Sequence, residues 1–410
     1  MRRHLIHLCI ASLLALGMFI GFNLVVDPYR IWHALEFDGV NAAKPQLANH
    51  ERIYKIVGLA RRPANAVILG TSQSDIGLNP NHVALGKDAI NLALFGQPYR
   101  ETRMLFDWLS DRKAIKTFVI GLDFSAANVL LPYPDDFVVE NFAHERRWQL
   151  VLSRSAFVDS VITIAKRKAL RENTWSERGL RLWSDEYVKV LGGHRKFMRA
   201  SEEQNLTQLY LPRPSCAFDL DATTGKLSPL EEIRAVYSRA HRERVALKLL
   251  ISPSHARHWE TIAAAGLWEK WEEWKQRLVQ MNTEEAQRAG QQPFPLWDFS
   301  GYHSISSEAV PALGDTETIM RWYFDASHYR PEAGDLVLDR IFGLDSPERT
   351  VPSDFGILLT SSNIAAHLSG IRLARQRYRQ THPEDVADIE AMARKVVETR
   401  RCKSGIVRLS

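Results

Sequence analysis

Three side chains in this sequence are of the types that together make a hydroxyl nucleophilic. Ser72 closes the run Val67-Ile68-Leu69-Gly70-Thr71-Ser72, and far along the chain stands Asp325-Ala326-Ser327-His328. Near neutral pH a hydroxyl attacks only when a base takes its proton, and the base needs a carboxylate to fix its tautomer. Ser72, His328 and Asp325 are of the types that could serve as nucleophile, base and orienter. Of the fourteen histidines, His328 alone has Asp three residues before it.

The elements that must position these groups follow from the apolar pattern. Short apolar runs at Ala66 to Leu69, Ala89 to Leu94, Thr117 to Phe124, Val245 to Ile251 and Phe294 to Phe299 predict buried parallel strands. Helical spacing between them predicts helices over Lys44 to Arg62, Tyr99 to Arg112, Pro229 to Arg244, Leu267 to Leu278 and Pro331 to Phe342. Strands alternating with helices predict an α/β sheet covered on both faces, with sites at the carboxyl ends of its strands. Ser72, Asp123, Ser252 and Asp298 all fall there. Residues 129–228 interrupt the alternation without a clear period and read as a helical insertion or cap. After about Gly343 the core pattern ends, and 346–410 reads as a helical, charged extension.

From Leu5 to Val26 there is no charged residue. As a helix this stretch is about 33 Å long, enough to cross a bilayer core. Arg2 and Arg3 precede it, so the positive-inside tendency leaves the N-terminus in the cytoplasm and the remainder across the membrane. No small-x-small pattern follows, which favours an uncleaved anchor (1–30) over a signal peptide. The chain is 45% hydrophobic and 25% charged, which excludes a disordered or fibrous class. Its net charge of +5 is spread without basic blocks, so no nucleic-acid partner is expected. Cys216 and Cys402 are available to form a disulfide, without proof of pairing.

Asn91-Leu92-Ala93-Leu94-Phe95-Gly96 ends the second predicted strand. With Gly70-Thr71-Ser72 before it and Asp325-x-x-His328 after it, this block resembles the SGNH (GDSL-like) hydrolase and acyltransferase superfamily. The resemblance covers about Asn65 to Gly343 outside the insertion. It implies a three-layer α/β/α (flavodoxin-like) parallel sheet within 31–345, with Ser72 as nucleophile and oxyanion N–H donor, Gly96 as second donor, and no cofactor. The family's third motif, Gly-x-Asn, here reads Gly121-Leu122-Asp123, and an ionised Asp accepts hydrogen bonds where an amide would donate. Either Asn128 replaces that donor or Asp123 has another task. Asn91, Asp123 and Asn128 are therefore expected to support the site.

Combined with the anchor, the pattern is similar to extracytoplasmic proteins of alginate O-acetylation and teichoic-acid D-alanylation. That likeness implies an inner-membrane, periplasm-facing acyltransferase or esterase acting on O-acyl groups of a glycan. Its implied partner is a multi-spanning membrane acyltransferase, and the alternative is a non-catalytic scaffold or glycan-binding component. His255, His258 and His303 lack neighbours at ligand spacing, so they are expected at the surface or rim and no metal is predicted. Trp268, Trp271 and Trp274 are expected to pack in the core, Asp298 to cap a strand end, and the basic run Arg372 to Arg379 to be a solvated helix face.

Overall fold

The computed structural model describes residues 2–112, 114–131, 146–167, 174–221, 227–344 and 349–399. They fall into two compact units, Met1–Pro63 with Asp136–Trp183, and Ala64–Asp135 with Ser184–Ser410. In chain order the strands are Ala66–Leu69 (β1), Ala89–Asn91 (β2), Thr117–Leu122 (β3), Thr174–Trp175 (β4), Arg181–Leu182 (β5), Ala246–Ile251 (β6), Leu296–Asp298 (β7) and Ile357–Leu359 (β8).

The second unit is α/β, built on a six-stranded sheet in the order β2-β1-β3-β6-β7-β8. Its first five strands run parallel, while β8 pairs antiparallel with β7 through Leu296 and Leu359. Strand interiors are apolar on both faces because helices cover both. Ile68, Val119 and Leu250 pack with Ala333, Val337 and Ile341 of the Pro331–Phe342 helix. On the opposite face Phe118 meets Phe106 of the Tyr99–Ser110 helix, with ring centroids 4.7 Å apart. From β1 the chain moves outward to β2 and then crosses to β3 on the other side of β1. The connections leaving β1 and β3 diverge at that reversal and open a crevice at the strands' carboxyl ends.

Local signals account for the helix limits. Pro331 opens its helix, where a missing N–H costs nothing, and Gly343 closes it at φ +65°. Ser228 caps the Pro229–Glu243 helix by accepting from Glu231 N–H.

The second expected strand, Ala89 to Leu94, is shorter as a regular strand. Its tail nonetheless stays beside β1, because Leu92 N–H donates to Ile68 O and Leu94 N–H to Gly70 O. In the stretch read as lying beyond the core, β8 adds an edge to the sheet. The basic run is a solvated face only in part: Arg372 and Arg377 are exposed, while Arg375 and Arg379 both bind the buried Glu260.

In the first unit, Arg2–Val26 is a single apolar helix, long enough to cross a membrane and exposed over most of its length. Lys44 Nζ donates to the Val26 carbonyl at 2.6 Å and Asn41 to the Val25 carbonyl at 3.0 Å, which satisfies the helix end. The helix expected over Lys44 to Arg62 is instead three short turns: 3-10 Leu47–His50, π Ile53–Gly58 and 3-10 Leu59–Arg61. A Cβ on Gly58 would lie 2.8 Å from the Arg30 carbonyl, so a close tertiary approach sets the path there, and apolar spacing does not encode it. Strands β4 and β5 form an antiparallel ribbon in the same unit.

Candidate active site

Thr71 accepts a hydrogen bond from Gln73 N–H and so caps the short Ser72–Gly77 helix, which makes Ser72 its first residue. The turn from β1 into this helix needs Gly70, whose φ is +144° and where a Cβ would lie 2.5 Å from Ser74 Oγ. The helix leaves the sheet pressed against Pro331–Phe342. A Cβ on Gly77 would enter the Tyr329 ring, and one on Gly334 would enter the Gly77 carbonyl. The two glycines thus let the element carrying Ser72 approach the residue that follows His328.

Ser72, His328 and Asp325 form one hydrogen-bonded chain. Ser72 Oγ lies 2.8 Å from His328 Nε2, and His328 Nδ1 lies 2.7 Å from Asp325 Oδ2. A carboxylate only accepts, so Nδ1 carries the proton and Nε2 is left to accept from the Ser72 hydroxyl. Asp325 Oδ1 accepts from the backbone N–H groups of Ser327 (2.8 Å) and His328 (2.9 Å). Burial disfavours the Asp325 anion, but His328 and these N–H groups outweigh it and hold the carboxyl below its ordinary range. Ser72 and His328 are each 9% exposed, and Asp325 is 1% exposed. Asp325 is therefore enclosed, while Ser72 and His328 keep a small exposed area.

The loop that carries His328 is fastened from several sides. His255 N–H donates to Ala326 O at 3.0 Å. Ser254 Oγ donates to Ser327 O and to Gln73 Oε1, joining this loop to the residue after Ser72. Asn205 donates to Ser327 Oγ, and His194 bridges the Phe324 carbonyl and Met320 N–H. Sequence reasoning missed Gln73, His194, Asn205 and Ser254 as positioning groups. Ser254 and Gln73 follow strand ends, a signal that could have found them, whereas His194 and Asn205 lie in the aperiodic insertion and carry none.

The remaining expected site residues divide. Gly96 takes φ +60° in a turn held to the nucleophile turn by the Leu94–Gly70 hydrogen bond. Asn91 holds the Ser72–Gly77 helix through the carbonyls of Ser74 and Leu78, at 2.8 and 2.9 Å. Asp123 accepts from the Thr71 hydroxyl, immediately before Ser72. Burial pushes its carboxyl above the ordinary range, against the Thr71 and Ser252 hydroxyls and the His328 charge, which favour the anion. Asn128 donates to Leu209 O and accepts from Leu130 and Asp219 N–H, so its side chain ties the loop after β3 to the insertion.

One further expectation needs correction. His255 and His258 are core residues, not rim residues. His255 bonds the Glu308 carbonyl and His258 the Tyr210 hydroxyl. Burial lowers their rings to about 4 and about 3, so both are neutral near neutral pH. Asp298 does cap Ser300 N–H, but it also binds the buried Lys275 and His367. Trp271 and Trp274 are fully buried. They border a cavity behind Gln73 and Asp123 with room for about one water. Among the described residues no group of three or more His, Cys, Asp or Glu is placed to hold a metal. Cys402 lies outside the described residues, and the expectation of its pairing with Cys216 falls there too.

No known protein family, curated protein or solved structure matches the chain.

Proposed function

We propose that this protein is a membrane-anchored, extracytoplasmic SGNH-like serine acyltransferase or esterase acting on O-acyl groups, with a glycan as acceptor or ester substrate. The observation that carries the reading is the chain from Ser72 Oγ to His328 Nε2 at 2.8 Å and from His328 Nδ1 to Asp325 at 2.7 Å. Supporting it is a parallel run in the order β2-β1-β3-β6-β7, a flavodoxin-like order, with the serine after β1 where strand order reverses. The Arg2–Val26 helix fits a single-pass anchor, and Arg2 and Arg3 favour a periplasmic location for the remainder.

In this reading Ser72 Oγ bonds to the acyl carbon as its proton passes to His328 Nε2. The imidazolium is stabilised by Asp325, and the N–H groups of Ser72 and Gly96 receive the oxyanion. As the bond to the leaving oxygen breaks, that oxygen takes the proton from Nε2. The acceptor hydroxyl then gives its proton to Nε2, attacks the Ser72 ester and releases Ser72, which recovers the proton. A glycan hydroxyl as acceptor makes the protein a transferase, and water makes it an esterase. The upward push on Asp123 favours the neutral acid, which carries no charge to repel the oxyanion.

The test is covalent labelling of the full chain in detergent by a fluorophosphonate, beside Ser72→Ala. A Ser72-dependent adduct is expected. Equal labelling of both proteins, or none, would leave the non-catalytic scaffold as the better account.

A further inference from the structure

The Arg154–Ala165 helix is amphipathic in the reverse sense. Its inward face is Ala156, Asp159, Ser160 and Thr163, all buried. Asp159 accepts from the Tyr29 hydroxyl at 2.5 Å and pairs with His50 at 3.1 Å, and Thr163 donates to the Asp159 carbonyl. Past its first two residues, Arg154 and Ser155, its outward residues are apolar: Val158 and Val161 are 44% and 45% exposed, and Ala165 is exposed too. A helix on a water-facing surface does the opposite, turning apolar residues to the core and polar ones to solvent.

The helix also has a definite position along Arg2–Val26, within the same unit. Phe157 stacks on Phe19 with centroids 5.0 Å apart and meets Phe22 edge-on at 5.7 Å. Those phenylalanines lie about 6–10 Å below Val26 at helical rise. Two residues after Phe157, Asp159 reaches Tyr29 and His50, beyond the end of that apolar helix. The Arg154–Ala165 helix therefore crosses the end of Arg2–Val26 at the depth where hydrocarbon meets headgroups. Exposed Arg154, Lys166 and Arg167 flank its ends, and Trp148 is 58% exposed on the preceding turn. Basic and Trp side chains at that level suit anionic phospholipid headgroups.

We infer that Arg154–Ala165 is a second membrane element, an interfacial helix lying in the plane of the leaflet with Val158 and Val161 in phospholipid. The occupant is lipid and not protein because the apolar face is continuous with the membrane-crossing helix and both its ends are basic. The inference rests on the reading of Arg2–Val26 as a membrane anchor and is independent of the acyl-transfer chemistry.

The test places a photoreactive benzoylphenylalanine at Val158, at Val161 or, as a reference, at Leu13 within the anchor, each in the full chain in membranes of an expressing bacterium. Adducts of phospholipid mass at Val158 and Val161, in yield comparable to Leu13, are expected. No lipid adduct at either position while Leu13 gives one would overturn the inference. A protein-sized adduct would overturn it in favour of a protein partner on this face. Failure at Leu13 would overturn the anchor reading itself.

Discussion

Asp325→Asn is the most discriminating change, because the surrounding backbone fixes how the new amide must sit. Ser327 and His328 N–H both donate to Oδ1, so the amide oxygen has to occupy that place. Turning it round would set an NH2 against two N–H donors and leave both unpaired, at about 1–3 kcal/mol each. The amide NH2 therefore faces His328 Nδ1 and donates to it. Nδ1 must then accept, the proton moves to Nε2, and Nε2–H points at Ser72 Oγ, where an acceptor is required. A wrong-tautomer substitution of this kind costs about 10⁴ in rate, or about 5.4 kcal/mol of transition-state stabilisation. The assay is the second-order rate of fluorophosphonate labelling of the full chain in detergent, with thermal unfolding to show that the fold survives. Labelling within about tenfold of wild type, from a folded variant, would refute the assignment of Asp325 as the group that sets the tautomer.

Three other perturbations follow from the same geometry. Burial raises the folded Asp123 carboxyl above its unfolded value, so stability is lost as pH rises above the ordinary carboxyl range and through the raised one. Asp123→Asn keeps an acceptor for Thr71, and its melting temperature relative to wild type should rise as pH rises above the ordinary carboxyl range; a margin that shrinks would contradict the raised pKa. Gly334→Ala drives a methyl into the Gly77 carbonyl. It should cost about 1–3 kcal/mol in denaturant unfolding and slow Ser72 labelling in the molecules that stay folded, and a neutral outcome would count against the close approach. Arg257→Met leaves buried Glu202 without the guanidinium that binds both its oxygens, at 2.7 and 2.9 Å. Denaturant unfolding should show a loss of about 3–5 kcal/mol, and one below about 1 kcal/mol would show that the pair is dispensable.

The hydrogen-bonded trio of Ser72, His328 and Asp325 was legible because its residue types are rare in that arrangement, and β1, β3 and β6 because buried parallel strands are continuous apolar runs. Less legible was anything set by distant contacts. Ile357–Leu359 is too short and too exposed to announce itself as the strand β8, and only its pairing with Leu296–Asp298 makes it one. The turns of Leu47–Arg61 follow the approach of Gly58 to Arg30. His194 and Asn205 look like ordinary polar residues of an insertion until the fold sets them against Phe324 and Ser327. The reversed faces of Arg154–Ala165 hide its role from any rule that assigns apolar residues to the core.

The fastening of the C-terminal helices bears on any shortened version of this chain. Arg257 bonds Asp385 and Asp388, and Glu260 bonds Arg375 and Arg379, all through the Ala256–Ala264 helix. The residue before that helix, His255, is the one that grips Ala326. A protein trimmed soon after Gly343 would lose its sheet margin, strip buried Glu260 of both guanidiniums and leave Arg257 with Glu202 alone, close to the histidine's mooring. The tail is thus a brace for the imidazole, and trimming it for crystallisation or expression would loosen the loop that sets His328 against Ser72.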